Sequence, residues 1–264
     1  MQEKIKETPK SLLYESTVRS VCERVAENFS NFSVLEDIGG GFSSAGSGDL
    51  TVKLNGQKYY FEIKMDKKAQ MGGTSVRYNP LSPKGQKFTF LKPEAVERDM
   101  IEIYHSVLDT KSDSIDELIA ELRASIPFEI HQNIQGFPMV VGKEAWSAAT
   151  SKGLIKPINT FIEENAGFIR NHYLAKGVDY IQIGGCGLFH MGRNPLHLPV
   201  PLLNGTIRVE IRAGASGSKP SRHGLVRGVG LRVQGRLRFN VIKMEHSLDD
   251  YESAVKTFSR LIKK

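Results

Sequence analysis

Asp49, Glu62 and Lys64 are two carboxylates and an ammonium that a short β-hairpin would bring to one side of a sheet. Two carboxylates directly opposite each other repel in a bare sheet. A divalent cation is the simplest compensation. Mg²⁺ takes one or two carboxylates, keeps several waters and completes its shell with phosphate oxygens. Lys64, two residues beyond Glu62, would lie beside the same position. The plainer alternative is a solvated strand face, since acid-x-Lys also occurs at Asp66-x-Lys68 and Asp109-x-Lys111.

The hairpin rests on Asn55-Gly56, set between Asp49-Leu-Thr-Val-Lys-Leu54 and Gln57-Lys-Tyr-Tyr-Phe-Glu-Ile-Lys64. Both residues of the favoured two-residue turn need φ > 0, which Asn and Gly accept. Such a turn pairs Leu54 with Gln57 and places Asp49 opposite Glu62, with β-carbons roughly 5 Å apart. Leu50, Val52, Leu54, Tyr59, Phe61 and Ile63 then share one apolar face. Asp49, Thr51, Lys53, Tyr60, Glu62 and Lys64 share the other.

The elements around the hairpin follow from periodicity. Residues 11–29 read as a helix with Val18, Val21, Cys22, Val25 and Phe29 in one stripe. Glu15 falls inside that stripe, so its carboxylate either needs a partner or reaches solvent at the stripe edge. Residues 33–38 read as a short strand, followed by the glycine-rich lead-in 39–48, which has neither P-loop nor dinucleotide-binding spacing. Residues 66–92 read as irregular and basic, because Gly72-Gly73, Pro80 and Pro83 exclude a helix. Helices are expected at about 94–108, from a capping box at Ser114-Ile-Asp-Glu117 through Arg123, and over 158–176. A buried strand is expected at 178–183, and a C-terminal amphipathic helix over 247–263 with Ser247 as its cap.

Asp49 followed by Glu62-Ile63-Lys64 on the next strand resembles the Asp…Glu-x-Lys signature of the PD-(D/E)xK nuclease superfamily. The layout is most similar to type II restriction endonucleases, and among them to the branch that cuts GCGC-type sites. Gly48 stands where that family often has proline. The resemblance implies an α/β fold with a restriction-endonuclease-like core: a mixed central sheet flanked by helices, with a helical insertion and a basic C-terminal β-ribbon. On that reading the chain is a single nuclease domain, with core 11–65 and 158–190, insertion 66–157, basic recognition region 191–240 and C-terminal helix 247–263. It further implies Mg²⁺, with Mn²⁺ able to substitute, on Asp49, Glu62 and the carbonyl of Ile63. Lys64 would be catalytic, with Glu15 and Gln70 assisting. Double-stranded DNA is the implied substrate, and a homodimer is common among such enzymes. The Gln-x-x-x-Tyr motif of the RecB-like branch is missing, since residue 74 is Thr.

Composition narrows the alternatives. Of the net charge of +7, residues 204–238 carry the whole excess: eight basic residues against Glu210 alone. Concentrated charge of one sign is the footprint of a polyanion partner. Within it Arg208, Arg212, Ser216, Ser218, Lys219, Arg222, His223 and Arg227 are the candidate DNA-binding residues. Two alternating runs with a Gly/Ser/Lys/Arg tip have the size and chemistry to enter a major groove. Charge alone is also explained by a nonspecific phosphate-binding face. Two cysteines are too few for a disulfide framework, and Cys186, His190 and His197 fit no structural zinc spacing. No apolar run spans a bilayer and the start lacks a signal-like stretch, so a cytoplasmic protein without membrane contact is expected. A site-specific endonuclease, a repair or processing nuclease and a non-catalytic DNA-binding protein all remain open.

Overall fold

The computed structural model describes residues 9–35, 49–79, 81–83, 85–130, 139–199, 203–221 and 224–259. These form a mixed α/β protein with two sheets, and they divide into two compact units. The first comprises residues 1–69, 163–206 and 237–264; the second comprises 70–162 and 207–236.

The first unit is built on a five-stranded sheet in the order β1-β2-β3-β9-β10. Its strands are β1 (Phe32–Val34), β2 (Leu50–Leu54), β3 (Gln57–Lys64), β9 (Tyr180–Ile183) and β10 (Gly187–His190). Asn55 and Gly56 both have positive φ, 49° and 84°, and close the β2–β3 hairpin with Leu54 opposite Gln57 as expected. The β3–β9 pairing is parallel and the others are antiparallel. On one face Leu50, Val52, Leu54, Tyr59, Phe61 and Ile63 meet Val18, Val21, Cys22 and Val25 of α1 (Lys10–Ala26). Ala254 and Phe258 of α6 (Tyr251–Phe258) complete that core. Fully burying each such aliphatic or aromatic side chain contributes about 1.5–3 kcal/mol, so this face holds the unit together.

The helix expected over 158–176 is a strand and a helix: β8 (Ile158–Glu164), then α5 (Ala166–Ala175). Exposure alternates strictly along β8, and Asn165 caps α5 by accepting from the Phe168 amide. Pro157 and a β-branched, period-two run outweigh the helical spacing of Ile158, Phe161 and Ile162. The C-terminal helix starts later than expected, with Asp250 as its cap. Ser247 is buried and already accepts from the Asp249 amide and from Gln182 Nε2.

The second unit holds most of a seven-stranded sheet in the order β5-β4-β12-β11-β8, with β7 also paired to β12 and β6 to β7. Besides β8, its members are β4 (Lys68–Tyr78), β5 (Phe88–Phe90), β6 (Phe128–Ile130), β7 (Met139–Gly142), β11 (Asn204–Ser221) and β12 (Gly224–Asn240). The segment 66–92, expected to be irregular, thus contains an eleven-residue strand. Ala69 and Met71 are buried before Gly72-Gly73, whereas Thr74, Val76 and Tyr78 are buried after it. That one-residue change of phase, with Gly72 at φ 81°, is a β-bulge. The glycines that exclude a helix are here a device within a strand.

Helices α2 (Arg98–Thr110) and α3 (Ser112–Ser125) lie in this unit, as does α4 (Lys143–Ser151). The capping box expected at Ser114 is not used: Lys111 alone separates α2 from α3, and Ser114 lies inside the helix. The basic ribbon is flanked over part of its length. β11 and β12 are interior strands, flanked by β8 on one side and by β4 and β7 on the other. Among the described residues no helix is long and apolar enough to cross a membrane.

Candidate active site

The polar side of the five-stranded sheet is closed at Glu62, where Lys176 after α5 reaches it. Glu62 is 5 % exposed, and its Oε1 accepts from Lys64 Nζ at 2.6 Å and from Lys176 Nζ at 3.0 Å. Asp49 sits one residue before β2, just beyond the ladder, with its carboxylate turned onto β3. Its Oδ2 accepts from the Ile63 amide at 2.8 Å and lies 3.5 Å from Lys64 Nζ. The hairpin register therefore brings Asp49, Glu62 and Lys64 together, through a backbone hydrogen bond rather than a ladder pair.

Electrostatics sets the protonation of this group. Burial alone would raise the Glu62 carboxyl, but Lys64 and Lys176 outweigh it and hold it down at about 2. Burial likewise works against the Lys64 ammonium, yet Glu62 and Asp49 keep it above its ordinary value. Asp49 is shifted upward, chiefly by burial and with Glu62 adding to it. Glu15, half-buried on α1, is raised first by burial and next by Asp49, so it belongs to the same field. The site thus holds one firmly ionised carboxylate, one that is easier to protonate, and two ammonium groups.

Lys176 is the residue that sequence reasoning missed. It ends α5 ahead of Gly177, whose φ of 78° closes a Schellman turn with Val178 donating to the Tyr173 carbonyl. In sequence, Lys before Gly reads only as a cation at a helix C-terminus. Its approach to Glu62 depends on parallel pairing of β3 with β9, which aligns Glu62 with Ile181 of the strand that follows α5. A second clamp fixes that pairing. Arg193 grips buried Asp179 bidentately, Nε to Oδ1 at 2.9 Å and Nη2 to Oδ2 at 2.7 Å, while Asp179 Oδ2 also accepts from the Tyr60 amide.

The chain matches no protein-family model, no curated protein and no solved structure. What can be said of chemistry therefore comes from the residues. Among the described residues no three of His, Cys, Asp and Glu come together as a metal cage. Two carboxylates with a neighbouring backbone carbonyl nonetheless suit Mg²⁺, which relies on few protein ligands and keeps its waters. The described contacts fall on Oδ2 of Asp49 and Oε1 of Glu62. Among the described residues Oδ1 and Oε2 carry no partner, so a small hard cation fits the donor set there.

The other expected site residues scatter. Gln70 is an exposed residue of β4 in the second unit. Arg208 and Arg212 stand on β11, on either side of Glu210, at 3.4 and 3.7 Å. Ser216, Ser218 and Lys219 lie on β11 and Arg227 on β12, with side chains outside the described set; Arg222 and His223 are outside the described residues altogether. The glycine-rich lead-in to Asp49 is also outside them. Cys22 is a buried free thiol, as its stripe position implies, and burial pushes it up to about 12.

Proposed function

We propose that the chain is a Mg²⁺-dependent endonuclease that hydrolyses phosphodiester bonds in DNA. The observation that carries this reading is the convergence of half-buried Asp49 and Lys64 on buried Glu62, with Lys64 within reach of both carboxylates. Asp49 Oδ1, Glu62 Oε2 and the Ile63 carbonyl would hold the ion. Mg²⁺ bound there supplies charge to the phosphoryl oxygens and a more acidic water. Lys64, kept protonated by its two carboxylate neighbours, stabilises negative charge growing on the phosphate and orients the attacking water. Asp49, fixed by the Ile63 amide, keeps its carboxylate aimed without needing the ion for order. Glu15 adds a third carboxylate to the local field.

The resemblance to restriction endonucleases supports site-specific cleavage. One observation favours a second reading, a processing or repair nuclease. The arginine-bearing strands have sheet neighbours on both sides, and a strand so flanked does not enter a groove as a two-stranded ribbon.

Supercoiled plasmid incubated with the protein and Mg²⁺ separates these readings. Discrete fragments identify a restriction enzyme, a smear identifies a processing nuclease, and a gel shift without cutting refutes the enzyme. Asp49→Asn and Lys64→Met are expected to lower cleavage by about 10²–10³-fold, the scale of losing one group that stabilises transition-state charge. Their thermal melting should show the folded state intact, and full activity in either variant refutes the assignment.

A further inference from the structure

One face of the second unit's sheet carries exposed side chains among the described residues, and the alternation of its strands decides which stand there. On β12 Leu231, Val233 and Gly235 are buried, and a side chain on Gly235 would strike Tyr104 and Met100 of α2. That side is the packed one. Arg232, Gln234 and Arg236 therefore point the other way, and both arginines are exposed. A side chain on Gly214 would touch the Arg232 stem at 3.1 Å, which puts Arg212 and Arg208 of β11 on the same face. A side chain on Gly73 would meet the Gln234 side chain at 3.2 Å, which adds Ser75 and exposed Arg77 of β4. Five arginines thus share this face, with Glu210 set between two of them and Glu163 of β8 on the same side.

The face also carries an aromatic ring. Thr206 donates to Glu163 at 2.7 Å, so the even residues of β11 and the odd residues of β8 lie on one side. Phe161 of β8 consequently shares that side with Arg208 and Arg212, and it is 67 % exposed. An exposed phenyl among arginines costs solvation without adding to a core, and it is what a stacking platform requires.

We infer that this open face binds a single-stranded polynucleotide, its phosphates held by Arg77, Arg212, Arg232 and Arg236 and a base stacked on Phe161. Charge complementarity selects a polyanion. The sheet neighbours of β11 and β12 make the face broad, so it meets a strand laid along it rather than base edges deep in a duplex groove. The exposed ring selects unpaired bases, whose π-faces are free to stack. The inference goes beyond the nuclease reading and does not need it.

The test is fluorescence anisotropy with the full chain carrying Asp49→Asn, in EDTA, using labelled oligodeoxyuridylate, oligouridylate and a duplex of equal length. Single strands are expected to bind more tightly than the duplex, and the two single strands report whether the sugar matters. Arg232→Gln with Arg236→Gln should weaken single-strand binding about tenfold and reduce the salt slope by about 1.4, the loss of two phosphate contacts. Phe161→Ala should weaken it about tenfold while sparing the duplex, and Phe161→Tyr should restore it. Duplex preference, or single-strand affinity unmoved by these surface substitutions, overturns the inference. Failure of the parent chain to cut DNA bears on the two carboxylates alone, whereas loss of strand preference bears on this face alone.

Discussion

Glu62 receives two ammonium groups on a single oxygen, and that crowding has a kinetic consequence. A cation bound at Glu62 must share the carboxylate with Lys64 and Lys176. Lys64 sits close to Asp49 as well, but Lys176 is held by α5 and serves Glu62. Lys176→Met keeps the chain length and removes one charge-assisted hydrogen bond of about 1.5 kcal/mol. The Mg²⁺ concentration for half-maximal cleavage is therefore expected to fall about tenfold, read from the metal dependence of the initial rate. An unchanged requirement would show that Lys176 does not compete with the cation. Asp49, Glu62 and Lys64 were legible in the sequence because one turn and one alternation place them. Lys176 was not, since it lies far along the chain and only a parallel strand pairing delivers it.

At the scale of elements, local chemistry fixed some ends and misled at others. Asp250 caps α6 by accepting from the Ser253 amide at 2.8 Å, and this interaction lowers its carboxyl below the ordinary 3.8. Because the folded-state value is depressed, the cap contributes fully above the unfolded value and is lost as pH falls through the folded one. Asp250→Ala is expected to cost about 1 kcal/mol at neutral pH, and the difference from the parent should shrink below about pH 4. Chemical denaturation at several pH values measures this, and a deficit that persists in acid would remove the charged cap from the account. Gly72-Gly73 shows the opposite case. Both glycines argue against a helix, yet in sequence nothing distinguishes a loop from a bulge inside a strand. The difference is made by partners: β12 beside Gly73, and Tyr104 donating to the Gly72 carbonyl.

For the whole molecule, the positive charge and the proposed chemistry fall on different residues and should be separable. The positive excess lies within 204–238, and the rest of the chain is balanced. Asp49→Asn is expected to lower cleavage by about 10²–10³-fold while leaving oligonucleotide affinity at the parent value. Arg232→Gln with Arg236→Gln should instead act through KM, raising it about tenfold, rather than through kcat. Steady-state cleavage and anisotropy on the same preparations check both. A kcat loss in the arginine variant would mean that the face contributes to the chemistry itself. The division into two units also rearranges the expected anatomy: residues 70–162 cluster with 207–236, so the segment read as an insertion and the basic strands share one unit.

The sequence by itself determined the hairpin, its register, the apolar face of α1 and the location of the positive charge. Each depends on neighbours within a few residues or on composition, where steric preference and periodicity act directly. Tertiary structure decided that Glu62 is buried rather than solvated and that Lys176 shares it. It also decided that 158–164 is a strand, and that β11 and β12 take β8, β4 and β7 as sheet neighbours. Those outcomes depend on which distant strand supplies each hydrogen-bond partner. Backbone groups must be satisfied across the whole sheet, and that requirement is met between segments that carry no mark of one another in the chain.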